Sequence, residues 1–439
     1  MASAFPKASF SESAYFNSVQ VVPNLLQGLF TRRRRLVGAF ARADVDGRVV
    51  RFCHRLQEKY ASPAVWLRVF ADQGLLLFDR AAIRHVLEGS PSVYGPPSIK
   101  VKGMGHFQPG ALTLSRGEEW KDRRRFNEAV LDSGAAAHRL GGRFLEIARA
   151  EVEATRVEVG EELAWPAFAD LFARLTRQVV FGRGARDDKE LTDHLAALMR
   201  RGNTAFLPHA RKHFDALYER IGRHLREPEE GSLMALAAAA ESTAATRVAN
   251  QVPHWMFAMK DTLAANCART LAVIGSHPEV EESVRAELTG ADLGSAAGVA
   301  GLAYLEGCVH EAMRLWPTTP LLSRNVERDD EILGVPVAKG TQILILNTFN
   351  HRNRATVESA DAFVPERWRG GEPDYQFNHF SNGAQVCAGL DLALFLGRAV
   401  LAGLIERDRW RLERPRLDPG APLPYMVDYN VLRWRRTSS

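Results

Sequence analysis

The chain has 439 residues, 46% of them hydrophobic, and a formal net charge of +5. A chain of this length and apolar content can bury a large core in one big domain or in several ordinary ones. The charge is mild and basic residues are interspersed with acidic ones, so nucleic-acid binding is not indicated. Four scattered cysteines argue against a disulfide scaffold or a cysteine zinc site, and no window reaches the roughly 18 apolar residues of a membrane span. We therefore expect a cytoplasmic protein with reduced thiols and no transmembrane segment.

The first elements are predicted from apolar periodicity and turn residues. Apolar residues recur at helical intervals in residues 44–60, which predicts an amphipathic helix. Two strand-like runs within residues 64–78 predict a hairpin, with residues 72–74 (Asp-Gln-Gly) as its turn. The Pro- and Gly-rich stretch 89–110 cannot sustain long regular structure and is expected to be a functional loop.

Helical patterns dominate the rest of the chain. They run from Gly117 to about Arg226, and the longest spans about Val248 to Gly275 and is apolar on most sides, as expected of a buried central helix. Another helical pattern ends at Pro317. Residues 331–347 predict a second hairpin, turning near Lys339-Gly340.

The predicted helices clearly outnumber the strands, and no internal repeat, low-complexity tract or linker divides the chain. We therefore predict a fold that is mainly α with a smaller β region. A single domain is expected over residues 1–439, with residues 1–43 as an N-terminal extension that packs on it.

The stretch FSNGAQVCAG, residues 380–389, carries the clearest chemical signal. Cys387 stands just before an apolar, helix-prone segment, whose dipole and free N–H groups would stabilise a thiolate. Gly383 and Gly389 would allow a flat ligand to approach the sulfur closely, and Phe380 is placed to shield it. The three other cysteines lack such surroundings and are expected to be inert and buried.

This loop resembles the haem-binding signature of the cytochrome P450 family, whose cysteine thiolate is the proximal iron ligand. The resemblance implies the cytochrome P450 fold and haem b (iron protoporphyrin IX) as the cofactor, with Cys387 as the iron ligand. Further motifs similar to those of the family follow the family's order from about Tyr60 to the end of the chain.

One such motif is Glu311-Ala312-Met313-Arg314, an E-x-x-R sequence. Its spacing places the acid and the base on the same helical face, where they can pair. The later sequence FVPERW contains Arg367, and the resemblance implies that Glu311, Arg314 and Arg367 form a structural cluster behind the cysteine loop.

Three more side chains are candidates for the haem propionates. Trp120 and Arg124 are four residues apart and share a helical face, so they can present an N–H donor and a cation to one anion. The resemblance identifies that anion as a propionate and assigns Arg324 to a second propionate contact. Gln385 departs from the family, which usually has Arg or His at this position. Compensation of the propionate charge is therefore expected to rest on Trp120, Arg124 and Arg324.

The long helix contains Ala258-Met259-Lys260-Asp261-Thr262, which is similar to the family's oxygen-activating motif. Thr262 can hydrogen-bond the carbonyl of Ala258, four residues back, and so loosen the helix beside the iron. Asp261 points about 100° away and can relay protons from solvent. Met259 replaces the motif's glycine and is expected to reshape or narrow the pocket.

The resemblance implies a soluble, bacterial-type haem-thiolate monooxygenase that inserts one atom of O2 into a substrate. The electrons are expected from a separate ferredoxin- or flavodoxin-type donor with its reductase. Lys121, Arg123 and Arg125 are basic and predict electrostatic docking of an acidic partner. The pocket-facing candidates Met256, Met259, Thr319 and Leu321 are mostly apolar, which favours a hydrophobic small molecule such as a terpenoid, steroid or polyketide.

Two alternatives share the cysteine loop. A haem-thiolate peroxygenase or isomerase would not need Thr262 and Asp261, whose presence argues against it. A haem-binding protein without turnover is the second alternative, and turnover that depends on NAD(P)H would separate it from an enzyme.

Overall fold

The structure, a computed structural model, describes residues 4–204, 206–370 and 374–437, so the first three residues of the predicted N-terminal extension lie outside it. The α-helices span Phe10–Phe16, Val22–Gln27, Arg34–Arg42, Val45–Tyr60, Arg80–Glu88, Ser98–Met104, Gly117–Leu131, Gly141–Val159, Trp165–Phe181, Lys189–Gly202, Arg211–Arg226, Leu233–Ala239, Val248–Phe257, Ala264–Ile274, Pro278–Thr289, Ala296–Ala300, Ala303–Leu315, Asn347–Asn350 and Leu390–Arg407. The strands, β1 to β10 in chain order, span Ala64–Val69, Asp72–Leu77, Tyr94–Gly95, Glu162–Ala164, Leu321–Val326, Asp330–Ile332, Val335–Val337, Gln342–Leu346, Arg409–Arg414 and Arg433–Thr437. The predicted fold class, mainly α with a smaller β region, is confirmed.

The largest sheet has five strands in the order β1-β2-β8-β5-β3. Strands β2 and β8 run parallel and every other neighbouring pair is antiparallel. Two smaller sheets have the orders β4-β10-β9 and β6-β7. The pairing of β3 with β5 is the one that matters for the site, because it holds the first part of the 89–110 stretch beside the strand that carries Arg324.

The first predicted hairpin exists with a different turn, whereas the second does not form between the predicted strands. In the first, Val69 pairs with Asp72, so Phe70 and Ala71 form the turn and residues 72–74 belong to β2. In the range of the second, β6 and β7 form a shorter hairpin that turns at Leu333-Gly334. The predicted partner strand, β8, instead lies between β2 and β5, because its apolar side chains are buried in the middle of the large sheet.

The predicted central helix is confirmed as an unbroken helical run from Val248 to Ile274. Its middle segment, Ala258–Leu263, is wound as a π-helix, with one α-helical segment on either side. Every residue of Ala264–Ile274 is buried, which agrees with a sequence that is apolar on most sides. We refer to residues 248–274 as the long helix.

The N-terminal segment packs against the large sheet and the helices beside the cavity described below. Ala8 N–H donates to the Trp66 carbonyl at 2.9 Å, and the side-chain amide of Asn203 donates to the Thr31 carbonyl at 2.7 Å. That residues 1–439 form a single domain stays a prediction. Of the helices described in the structure, none is both long and apolar enough to cross a membrane.

Candidate functional site

A cavity of about 1610 Å³ separates the long helix from the loop of residues 380–389, which we call the cysteine loop. Cys387 and Gly389 line it from one side, and Ala258 and Thr262 line it from the long helix. The two halves of the predicted site therefore face the same space, although 125 residues separate Thr262 from Cys387 in the sequence.

The cysteine loop is held close to its neighbours by short backbone contacts. Cys387 N–H donates to the Phe380 carbonyl at 2.9 Å, which closes the loop on itself. Gly383 has φ +65°, and a Cβ there would lie 2.5 Å from the carbonyl oxygen of Leu87. Only glycine fits this left-handed, close approach. The helix Leu390–Arg407 begins directly after Gly389, as predicted.

The thiol of Cys387 is accessible from the cavity. Burial of the surrounding loop raises its pKa, while the Gly389 N–H and the nearby Arg124 guanidinium act in the opposite direction. The Gly389 N–H and the Arg124 guanidinium both favour the thiolate form of Cys387, and a bound metal cation would favour it further. Cys53, Cys267 and Cys308 are buried, in agreement with the inert role expected of them.

The long helix widens beside the cavity. Residues Ala258–Leu263 form the π-helical turn, so the predicted loosening is present at the predicted place. Its cause differs from the expected one, because within the described residues the Thr262 hydroxyl makes no hydrogen bond to the Ala258 carbonyl. Asp261 is half-exposed and accepts a hydrogen bond from Lys260 Nζ at 2.7 Å, so its carboxylate lies toward solvent.

Trp120, Arg124 and Arg324 all line the cavity. Arg124 donates to the Val386 carbonyl and pairs with Glu128 at 2.5 Å, so it lies against the cysteine loop and its charge is partly neutralised. Arg324 is 5% exposed, and within the described residues its guanidinium donates only to the Ser90 hydroxyl at 3.3 Å and the Ser323 carbonyl at 3.0 Å. Burial lowers the pKa of Arg324 to about 10.

The E-x-x-R pair lies in the core behind the cysteine loop. Glu311 and Arg314 are fully buried and 2.7 Å apart. Arg314 also donates to the carbonyls of His351, Ala360 and Ala362. Arg367 lies 3.6 Å from Glu311, too far for a hydrogen bond.

The same Glu311 oxygen, Oε2, accepts hydrogen bonds from Arg314 Nε at 2.8 Å and from Trp368 Nε1 at 2.9 Å. Sequence reasoning predicted the acid and both arginines but not this indole. An N–H donor on the residue after Arg367 was the available signal. The fold shows that Arg367 belongs to the predicted cluster as an ion-pair neighbour of Glu311 at 3.6 Å, while the Trp368 indole donates the hydrogen bond.

Of the four pocket candidates, Met259, Thr319 and Leu321 line the cavity. Met256 does not line it. Its side chain is 0% exposed in the helical core, because it lies on the side of the long helix away from the cavity.

The docking candidates also differ from expectation. Arg123 is 3% exposed and pairs with Glu119, so it cannot meet a partner, whereas Lys121 and Arg125 are exposed but paired with carboxylates of their own helix.

Two groups near the site were not predicted from the sequence. Lys100, on the helix Ser98–Met104, lines the cavity within the stretch that was predicted only as a loop. His310 and His379 are joined by a 2.9 Å hydrogen bond behind Phe380. Burial lowers the pKa of His310 to about 4, so this imidazole pair is neutral and packs as part of the aromatic wall behind the cysteine loop.

The sequence profile of the family described as Cytochrome P450 matches residues 189–419, more than half of the 439-residue chain. The chain belongs to the cytochrome P450 family. The matched region contains the widened turn of the long helix, the E-x-x-R pair and the cysteine loop, whereas Trp120 and Arg124, which also line the cavity, precede it.

Curated cytochrome P450 relatives resemble parts of the chain. It is 32% identical to cytochrome P450 4c3 of Drosophila melanogaster over 171 residues, which is 36% of this chain and 32% of that protein. It is 33% identical to sugiol synthase of Salvia miltiorrhiza over 166 residues, or 36% of this chain and 31% of the relative. The alignments thus span about a third of the length of these relatives. A bacterial type stays a prediction.

The cytochrome P450 fold extends well beyond these segments. The structure of cyanobacterial CYP120A1 with retinoic acid bound superposes with a TM-score of 0.70, covering 88% of this chain and 94% of that one. The two sequences are 18% identical, so the likeness shows the fold.

Family membership implies haem as the cofactor, and the residues of the cavity fit it. A sulfur ligand, Cys387, reaches the cavity from a loop that only glycine at position 383 permits. The buried guanidinium of Arg324 has no carboxylate partner among the described residues, as expected of a group that binds a propionate. Trp120 and Arg124 add further donors along the same wall.

Proposed function

We propose that this cytochrome P450 is a haem-thiolate monooxygenase that inserts one atom of O2 into an apolar small molecule. The observation that carries the proposal is that Cys387 and the widened turn Ala258–Leu263 line the same cavity. A thiolate on one side and a locally opened helix on the other are what oxygen activation requires from the protein. The family match supports the same activity.

When bound, haem supplies the dioxygen-activating and oxidising chemistry. Cys387 would hold the iron, and its thiolate would donate electron density that favours cleavage of the O–O bond. The Gly389 N–H next to the sulfur would temper that donation, since hydrogen bonds to a ligand sulfur tune its electronics. The turn held by Gly383 would fix the sulfur in position.

Thr262 and Asp261 would manage protons on the opposite side. The Thr262 hydroxyl faces the cavity without an intrahelical partner in the described chain, so it is free to bind and orient a proton donor there. Asp261 is half-exposed, so it can exchange protons with solvent, and Lys260 at 2.7 Å holds its carboxylate in place.

For the substrate we propose a hydrophobic molecule of terpenoid, steroid or polyketide type. Met259 and Leu321 give the cavity wall apolar character near the long helix, and Thr319 adds a hydroxyl. The likeness to sugiol synthase, and to a fold neighbour solved with retinoic acid, supports a molecule of comparable apolar character.

We further propose a ferredoxin- or flavodoxin-type electron donor with its own reductase, docking on the side of the cysteine loop. Lys121 and Arg125 are the exposed members of the predicted basic group, so charge reversal at these two residues would slow electron transfer. Reversal that leaves the rate unchanged would refute this docking surface. A cytoplasmic location stays a prediction.

The deciding experiment is the optical spectrum of the reduced, carbon-monoxide-bound protein. We expect a thiolate-type spectrum that is lost in Cys387→His, because imidazole donates less electron density to iron than thiolate does. Cys308→Ser, at a buried cysteine away from the cavity, is the matched control and should keep it. A purified protein that binds no haem would refute the proposal.

Turnover distinguishes the remaining classes. Product formation that requires NAD(P)H and surrogate redox partners supports a monooxygenase. Product formation with peroxide alone would indicate a peroxygenase, and haem binding without any turnover would indicate a carrier or sensor.

A further inference from the structure

A glutamine and a histidine are joined at the edge of the cavity, and neither is among the residues proposed to hold haem or to move protons. Gln108 lies in the Pro- and Gly-rich stretch 89–110, and its side chain is 0% exposed. Its amide nitrogen lies 3.2 Å from Nδ1 of His254, which belongs to the long helix and lines the cavity. The stretch that was predicted to be a functional loop therefore reaches a side chain of the cavity wall.

The surroundings of the Gln108 amide fix which of its two ends meets the imidazole. The nitrogen also lies 3.9 Å from the sulfur of Met104, a weak acceptor, while the amide oxygen is buried without a partner among the described residues. In the reverse orientation the NH2 group, with two protons, would be the buried group without an acceptor. One unsatisfied carbonyl oxygen costs less than two unsatisfied N–H groups. Gln108 therefore donates to Nδ1 of His254.

An imidazole that accepts a hydrogen bond at Nδ1 carries its proton on Nε2. Within the described residues, Gln108 is the one hydrogen-bond partner of His254, so Nε2–H is unused. It lies on the ring edge away from Gln108, which is the edge left to face the cavity. Phe257 packs against the ring with centroids 4.8 Å apart. Burial and the nearby Lys100 lower the pKa of His254 to about 4, so the ring stays neutral and keeps this one donor.

The donor lies one helical turn before the proposed site of oxygen activation. His254 and Ala258 are four residues apart, so they share a helical face and lie about 6 Å apart along the helix axis. Ala258 begins the π-helical turn and lines the cavity, and Thr262 lies near the other end of that turn. A ligand group bound to His254 is therefore held about one turn away from the widened part of the helix.

We propose that His254, oriented by Gln108, binds a carbonyl oxygen of the substrate and thereby selects the carbon that is oxidised. This inference rests on the proposed function and narrows the substrate class to apolar molecules that carry a ketone. Because Nε2–H can only donate and a carbonyl can only accept, the pair leaves no proton of the ligand unsatisfied. The oxidised carbon then lies at least about 6 Å from the carbonyl, on the part of the substrate that faces the widened turn.

The test measures ligand binding by the shift of the haem Soret band in the full-length holoenzyme. The probes are two ketones of different size, menthone and 5α-androstan-3-one, each compared with its parent hydrocarbon. We expect His254→Leu to raise the Kd of the ketones about 3- to 10-fold, as for the loss of one neutral hydrogen bond, and to leave the Kd of the hydrocarbons nearly unchanged.

Two further substitutions control for the loss of the ring. His254→Gln keeps an N–H donor and should retain part of the preference for the ketones. His277→Leu removes an imidazole that bonds Ser276 outside the cavity wall, and it should match wild type with every probe.

Gln108 is tested as a positioning residue by the tautomer of His254. In the reduced, carbon-monoxide-bound protein labelled with 15N-histidine, the signals missing from His254→Leu identify His254 and should show the proton on Nε2. Gln108→Leu should redistribute this proton between the two nitrogens and weaken binding of the ketones alone. An unchanged tautomer in Gln108→Leu would overturn the assignment of Gln108.

The outcomes separate the possible failures. An equal change of Kd for both members of each pair in His254→Leu would overturn the inference, as would a wild type that gives no Soret shift with either ketone. Tighter binding of 5α-androstan-3β-ol than of the ketone would overturn the choice of a carbonyl. In each case a thiolate-type spectrum of the wild type leaves the proposed function intact. Absence of haem in the wild type would refute the proposed function itself.

Discussion

Two buried arginines, ten residues apart in sequence, lie in opposite electrostatic surroundings. Arg314 is 0% exposed, pairs with Glu311 at 2.7 Å and satisfies its remaining donors on three backbone carbonyls. Arg324 is 5% exposed and has no carboxylate among the described residues. The protein itself compensates the charge of Arg314, whereas no described carboxylate compensates the charge of Arg324.

The difference separates a stabilising contact from a binding contact. A buried charge costs several kcal/mol of desolvation unless a partner and hydrogen bonds offset it. Behind the cysteine loop the chain provides all of these itself, so this region holds the scaffold. Along the cavity wall it leaves Arg324 without a carboxylate partner among the described residues, so a bound anionic ligand would offset the desolvation cost.

The sharpest test applies the same substitution to both arginines in haem-free protein. Arg314→Met leaves the Glu311 carboxylate buried and unpaired, and we expect the free energy of unfolding to fall by roughly 3–5 kcal/mol. Arg324→Met removes an unpaired buried charge and should leave the free energy of unfolding unchanged or raise it. Urea unfolding of both variants measures the contrast.

In the haem-bound protein, the same two substitutions are compared by the rate at which haem is lost. Arg324→Met should lose haem faster than wild type, whereas a folded sample of Arg314→Met should hold haem through the same cavity contacts. Equal destabilisation of the haem-free protein by the two substitutions would contradict the distinction between scaffold and ligand contacts.

The next largest effect is expected at Thr262. Because its hydroxyl faces the cavity and supports no helix hydrogen bond in the described chain, Thr262→Ala should reduce product formation about a hundredfold and leave the thermal midpoint nearly unchanged. Thr270→Ala is the matched control on the long helix, since that hydroxyl donates to the Asn266 carbonyl at 2.9 Å and is buried. Thr270→Ala should lower stability by about 1 kcal/mol and keep activity.

If both threonine variants retained full product formation, Thr262 would have no role in proton delivery. Measuring product and NAD(P)H consumption together distinguishes a slow reaction from one in which electrons are lost to peroxide or water.

The smallest effect concerns the far end of the cavity, where Asp46 faces Arg32 and Arg269. Burial raises the pKa of Asp46 from 3.8 to about 6, despite both arginines. The folded state therefore binds this proton more tightly than the unfolded chain does, so protonation favours folding. The contribution of Asp46 to the free energy of unfolding should rise as the pH falls from above 6 toward 4.

The difference between wild type and Asp46→Asn should change across that window, and denaturant unfolding at several pH values measures it. Asp193→Asn, at an exposed helix position, is the control for the loss of one carboxylate. A difference for Asp46→Asn that does not change with pH would contradict the prediction for Asp46.

Local patterns predicted much of the architecture. The helix at residues 45–60 and the long helix follow from 3.6-residue periodicity, which depends only on neighbours along the chain. The turn of the first hairpin and the strand pairing of the second were predicted wrongly, because register and pairing are set by which strands meet. Val69 pairs with Asp72, and β8 joins the large sheet instead of a hairpin partner.

The site shows the same division. The sequence alone determined the family-like loop around Cys387, the E-x-x-R spacing and the apolar long helix. Each is a pattern of neighbouring residues that can be recognised without knowing the fold. Only the tertiary structure decided that Met256 faces the core, that Arg123 is buried and that Arg324 is buried in the cavity wall without a carboxylate partner among the described residues. Burial and charge pairing depend on residues far apart in the chain, which the pattern of neighbouring residues does not reveal.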